Sequence, residues 1–354
     1  MNTESSWAEY IAPQEKVKSL EDFLARFDVE SINIEKFPNH QPDDGYDDDD
    51  DEEYNQAYVE PEPEYIEVFK FKHGQSLPFE LPQGYCLEGG AARNIALASL
   101  GEKVLPPRDH DIIALWELNP DLTQREVLSA KYMPDDFQNG YGIEPTNMQS
   151  YFQTRDFTIN QLFIDGEDAY ISKECLEDLI DKAICPTEFE QGKWNSYAYQ
   201  KEGVNPKLVV KSLRLYSEFV EAYGQGSVNG IEDWQWNFDA IPIFYLALGL
   251  EKATQLGDKV AIRFYMTLID LGMIEKENTP SLSVLAYNIR FYMRDQGKNP
   301  FDFSDPYISN LVALLEEDDS YRDDFTKYEE LAEKYVKVNK NNRDSVQDDI
   351  NNKY

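Results

Sequence analysis

The stretch that decides the fold is GYCLEGGAARNIALASLGEKVLPPRDHDIIAL, Gly84 to Leu115. A short apolar run ends in Gly89-Gly90, a small-residue helix pattern follows, and Asp109-His110-Asp111 opens a second apolar run. Ile95, Leu97, Ala98 and Leu100 supply the apolar positions of the helix and Gly101 stops it. The pattern is therefore strand, glycine turn, helix, loop, strand. On a strand, residues two apart project to one face, so Asp109 and Asp111 are expected side by side. Two close carboxylates repel unless one takes up a proton or a cation lies between them. Mg²⁺ suits such a pair, because it prefers a few carboxylates together with phosphate oxygens and water. A solvated strand end is the plainer explanation of the same three residues.

The glycines point the same way. Without Cβ atoms they let backbone N–H groups approach an anion, and a helix starting there offers its positive end. Arg93, one turn into the helix, adds a charge-assisted donor.

Working outward, YIEVFKFKHG (65–74) alternates like a strand, and DFTINQLFID (156–165) is rich in β-branched and aromatic residues and also predicts a strand. NMQSYFQTR (147–155) predicts one or two helical turns, about 122–132 a helix, and CLEDLIDKAI (175–184) a short helix. From Asn205 the pattern is helical only. NPKLVVKSLRLYSEFVEAYG carries Asn205 as N-cap, Pro206 at the first helical position and Gly224 at the end. Further helices are expected in AIPIFYLALGLEKA, KVAIRFYMTLIDLGM, SLSVLAYNIRFYM and ISNLVALLEE.

The order GGAARN, RDHDII, TRDFTINQLFID resembles the head domain of class II tRNA nucleotidyltransferases (CCA-adding enzymes) and bacterial poly(A) polymerases. RDFTIN is its most specific piece, and the resemblance runs over Tyr85 to Ile184. It implies an α+β fold: a nucleotidyltransferase (DNA polymerase β-like) head with a small mixed sheet, then an all-helical domain. It further implies transfer of a nucleoside monophosphate from an NTP to a hydroxyl, with an RNA 3′ end of tRNA type as acceptor and Mg²⁺ or Mn²⁺ as cofactor. By the same resemblance Asp109 and Asp111 match the metal-binding carboxylates. Gly89, Gly90 and Arg93 match the triphosphate cradle, and Arg155 and Asp156 the pair that contacts the nucleotide, with Asn160 supporting that turn.

The sequence departs from the family in three places. Asn94 replaces the Asp after Arg93, with Asp109 nineteen positions on from Gly90; Thr154 replaces the first Arg of Arg-Arg-Asp; and VNPKL puts Asn205 and Leu208 where the family carries its base-reading Asp and Arg. Leu208 has no donor for a base, so other acceptors stay open: a protein or small-molecule hydroxyl, or a catalytically silent binding module. The third carboxylate is open among Glu126, Asp135, Asp136 and Glu144. Lys207, Lys211 and Arg214 share one helix face, either a solvated face or a stripe for triphosphate or an RNA end.

The chain of 354 residues carries 33 Lys and Arg against 68 Asp and Glu, a net charge of −35, which opposes extensive RNA contact. Part of the excess sits in DDGYDDDDDEEYNQAYVEPEPEYIE (43–67), composition that does not fold by itself. The expected division is an acidic, mostly disordered arm over 1–60, the head over 61–190, a helical neck and body over 191–335 and a polar tail over 336–354. The arm is read as a solvating segment, or else as a nucleic-acid mimic or a self-inhibitory arm that covers a basic cleft. It contains one expected helix near 17–27, with Leu20, Phe23, Leu24 and Phe27 on one face. Three scattered cysteines, no run of transmembrane length and no basic, apolar leader predict a reducing, cytoplasmic setting away from membranes. The oligomeric state is not legible in the sequence.

Overall fold

The computed structural model describes residues 14–37, 63–77, 81, 83–104, 107, 110–121, 145–187, 206–229, 241, 243–274 and 286. The chain divides into two compact units, Met1–Gln191 and Gly192–Tyr354.

The first unit is built on a six-stranded sheet. In chain order its elements are α1 (Leu20–Arg26), β1 (Glu30–Glu35), β2 (Tyr65–Lys72), β3 (Tyr85–Glu88), α2 (Gly89–Ser99), β4 (Asp111–Ala114), α3 (Met148–Gln153), β5 (Leu162–Asp165), β6 (Asp168–Ser172) and α4 (Lys173–Asp181). The strands lie in the order β1-β2-β6-β5-β3-β4. Among the described residues every strand pair is antiparallel, not the mixed sheet expected, and the parallel contact is an isolated bridge, Leu115 to Thr146.

Period-two alternation sorts the side chains onto two buried faces. Phe69 and Phe71 of β2 point to one face, where Phe23 of α1 meets Phe71 edge-on at 4.9 Å between ring centroids and Phe27 meets it at 5.1 Å. The other face gathers Ile34, Val68, Cys86, Ile113, Leu115, Phe163 and Tyr170 under Tyr151 and Phe152 of α3. Phe163 and Tyr170, partners in the β5–β6 register, stack at 4.6 Å.

The acidic-arm boundary needs correction. Residues 14–37 belong to the folded unit: Phe23 is fully buried, Val17 N–H donates to Leu100 C=O, and β1 forms the edge of the sheet against β2. Burial of Phe23, Val17 and Ile34 offsets the ordering entropy of this segment. Leu24, expected on the apolar face of α1, is instead exposed. The acidic run from 43 to 62 lies outside the described residues.

The second unit contributes α5 (Pro206–Tyr223), α6 (Ile243–Gln255) and α7 (Asp258–Asp270), which pack on one another. Gly249 is where α5 and α7 close in: a β-carbon there would lie 2.4 Å from Val210 Cγ1 and 2.8 Å from Phe264 Cζ. The helices expected at 122–132 and in ISNLVALLEE lie outside the described residues, as does SLSVLAYNIRFYM apart from Ala286. Among the described residues no helix is long and apolar enough to cross a membrane.

Candidate active site

The site is assembled where β3 turns into α2. Gly89 takes φ +66, a left-handed conformation that glycine adopts without a Cβ penalty, and this converts the strand into the helix. The 11-residue α2 therefore begins at Gly89-Gly90, with Glu88 in extended backbone before it. Asp111, the exposed first residue of β4, is paired in register with Glu88. Its carboxylate is folded over the glycine turn, so that a β-carbon on Gly89 would stand 2.9 Å from Asp111 Oδ2. Asp111, Gly89 and Gly90 are thus brought together at the positive end of a helix, where a carboxylate or a phosphate is favoured.

Arg93 keeps Nη2 of its guanidinium 3.8 Å from where a β-carbon on Gly90 would stand. It is only 3% exposed, and its Nη1 donates to Asn160 Oδ1 at 2.9 Å. It braces the RDFTIN turn from below. Burying a guanidinium is tolerated because charge-assisted hydrogen bonds replace its water.

Thr158–Asn160 form a single 3₁₀ turn, and the strand begins only at Leu162. Here the strand expected over 156–165 is corrected. Asp156 Oδ1 accepts from Phe157 N–H at 2.9 Å and from Asn160 Nδ2 at 2.8 Å, so a local side-chain bond competes with the β ladder and wins. Asn160 consequently bridges Asp156 and Arg93. The turn is anchored on α4 and the chain after it: Thr158 Oγ1 donates to Asp178, and Thr158 N–H donates to Cys185 C=O at 3.0 Å. Burial raises the Asp178 carboxyl to about 6, against the lowering effect of the Thr158 hydrogen bond.

Arg155 lies on the α3 side of the turn. Its guanidinium sits over the Tyr151 ring at 4.4 Å and its Nη1 donates to Glu88 Oε2 at 2.5 Å. Tyr151 is buried, donates its hydroxyl to Leu162 C=O at 2.6 Å, and is held protonated by that burial. The Thr187 hydroxyl donates to Arg155 C=O, fixing the backbone at the same residue.

Glu88 was missed in the sequence. Its signal was a charged residue closing an apolar strand directly before the glycines; its partner, 67 residues later, is not visible in spacing alone. Asp109 lies outside the described residues, as do Glu126, Asp135, Asp136 and Glu144. Among the described residues no three His, Cys, Asp or Glu side chains converge as a metal site. The donor that is described fits Mg²⁺ or Mn²⁺ chemically: Asp111 is an exposed carboxylate on the first residue of β4.

Lys207, Lys211 and Arg214 belong to α5 of the second unit. Lys211 and Arg214 are half-buried, and Arg214 Nη1 lies 3.6 Å from Glu218 Oε2. The stripe is therefore not an open cationic face at its C-terminal end. Leu208 is 4% exposed and part of the helical core. Comparison of the chain with protein-family models, with curated proteins and with solved structures gave no match.

Proposed function

We propose that the first unit is a metal-dependent nucleotidyltransferase that moves a nucleoside monophosphate from an NTP to a hydroxyl acceptor, an RNA 3′ end of tRNA type. The observation that carries this is the seating of the Asp111 carboxylate on Gly89 at the start of α2. Asp111, with Asp109 by resemblance, would hold the metal, which when bound supplies positive charge to the reacting phosphate. The chain's own contribution is placement. The N–H groups at Gly89-Gly90 receive the triphosphate, and Arg93 and Asn160 hold the RDFTIN turn in position beside it. The acceptor oxygen forms its bond to the α-phosphorus as the bridging oxygen to the β-phosphate departs with the electron pair, and pyrophosphate leaves. The hydroxyl proton passes to solvent.

A second acceptor class, a protein or small-molecule hydroxyl, is favoured by one observation: Leu208 is buried in the core and offers no donor to a base. Purified protein incubated with each α-labelled NTP, Mg²⁺ or Mn²⁺, and either a tRNA pool or a cell lysate separates the two. Label on RNA is the expected result. Label on protein moves the acceptor to the second class, and label on neither, with any metal, overturns the proposed transfer.

A further inference from the structure

Glu88 and Asp111 face each other directly across β3 and β4. Residues paired in this way have their Cβ atoms about 5 Å apart on the same side of the sheet, where two like charges are unfavourable. The opposing charge comes from Arg155, at 2.5 Å from Glu88. That contact is made through one guanidinium nitrogen, Nη1, while Nε of Arg155 is buried without a hydrogen-bond partner. The fork is thus held by one prong, although a guanidinium binds carboxylate or phosphate best through two. The pair is also not sealed: the side chains of Arg155 and Glu88 are 29% and 17% exposed. Solvent therefore reaches the pair, and a more highly charged anion that engages both prongs of the guanidinium can compete with the carboxylate.

We propose that Glu88 is a built-in stand-in anion, which holds Arg155 in place over Tyr151 until a phosphate of the incoming nucleotide takes the guanidinium from it. This rests on the proposed nucleotidyl transfer and adds a positioning residue that acts through Arg155. Tyr151 beneath the guanidinium and the Thr187 bond to the Arg155 carbonyl keep the arginine stationary, so the exchange moves Glu88 and not the arginine. The displaced carboxylate is then left opposite Asp111, which opposes the exchange when no divalent cation accompanies the nucleotide. Competition is therefore strongest for metal-free polyphosphate.

The test is calorimetric titration of the full chain with metal-free inorganic tripolyphosphate and with ATP, before and after Glu88→Gln, with melting curves for each variant. Removing the competing charge is expected to tighten tripolyphosphate binding by about tenfold, the equivalent of one charge-assisted hydrogen bond regained. The gain should be smaller for ATP with Mg²⁺ and should vanish in Glu88→Gln/Arg155→Gln. A merely structural ion pair predicts the opposite, a lower melting temperature with unchanged or weaker binding, and that result overturns the stand-in role. If Glu88→Gln does not fold, Glu88→Asp, with its shorter reach, should show a partial gain, and no gain overturns the proposal. Tripolyphosphate binding by neither protein, with NTP turnover intact, overturns this inference alone; absence of both turnover and binding overturns it together with the transferase function.

Discussion

Asp111 Oδ2 lies 2.9 Å from the position that a β-carbon on Gly89 would occupy, so the acid and the glycine turn are a single structural unit. The glycine is needed twice there: once for its left-handed φ of +66, once for the space the carboxylate fills. Gly90 has neither demand, since the nearest atom to a β-carbon is Arg93 Nη2 at 3.8 Å.

That contrast gives a paired prediction. Gly89→Ala should lose about 1–2 kcal/mol from the left-handed backbone. It should also swing the Asp111 carboxylate away, lowering nucleotide turnover far more than stability. Gly90→Ala should leave stability within about 0.5 kcal/mol, or raise it slightly, as alanine is the better helix former. Chemical denaturation and turnover measured on both variants check this.

Asn160 is expected to be a stability hinge of the site. It accepts from Arg93 and donates to Asp156, so Asn160→Ala removes one bond from a buried guanidinium and one from the acid that shapes the 3₁₀ turn. A loss of about 2–3 kcal/mol is expected in urea unfolding. Asn160→Asp keeps an acceptor for Arg93 but sets a carboxylate against Asp156, and should also destabilise at neutral pH.

Asp178 should make the first unit's stability depend on pH. Burial raises its folded-state value to about 6, above the unfolded value near 4. A raised carboxyl binds its proton more tightly in the folded protein, so its contribution is full below about pH 4 and is lost as pH rises through about 6. Glu174 and Asp181 on the same helix add to the shift, while the Thr158 and Cys185 hydrogen bonds oppose it. Asp178→Asn should flatten this part of the profile and gain on the order of 1–2 kcal/mol at pH 7 relative to wild type, with Thr158 still bonded to the amide oxygen. Unfolding free energies between pH 4 and pH 7.5 test the slope.

An arginine at position 208, where the enzymes that the sequence resembles carry their base reader, should not create base reading. Leu208 is buried among the helices of the second unit, so Leu208→Arg places a charge in the core and should cost about 2–4 kcal/mol, visible as a lower unfolding midpoint.

Much of the fold was legible because its signals are local. The glycines stop β3 and start α2, Asn147 caps α3 through a bond to Ser150 N–H at 2.6 Å, and Pro206 and Gly224 bound α5. What was missed depends on distant residues. β1 reads ESINIE, polar and next to an acidic run, and becomes a strand because β2 offers a free edge and Ile34 finds the core. The 156–160 segment has strand composition, but Asp156 and Asn160 bond to each other and close it into a turn. The bond from Arg93 to Asn160, 67 residues further on, is likewise invisible in spacing.

The most direct measurement is transfer of α-labelled NTP by wild type and by Asp111→Asn, with melting curves to show that both are folded. The asparagine keeps the shape over Gly89 and removes the charge. The expected result is a loss of at least about a hundredfold in turnover at an unchanged melting temperature, a cost of some 3 kcal/mol in the transition state. Turnover retained at the wild-type rate in folded Asp111→Asn would contradict the account.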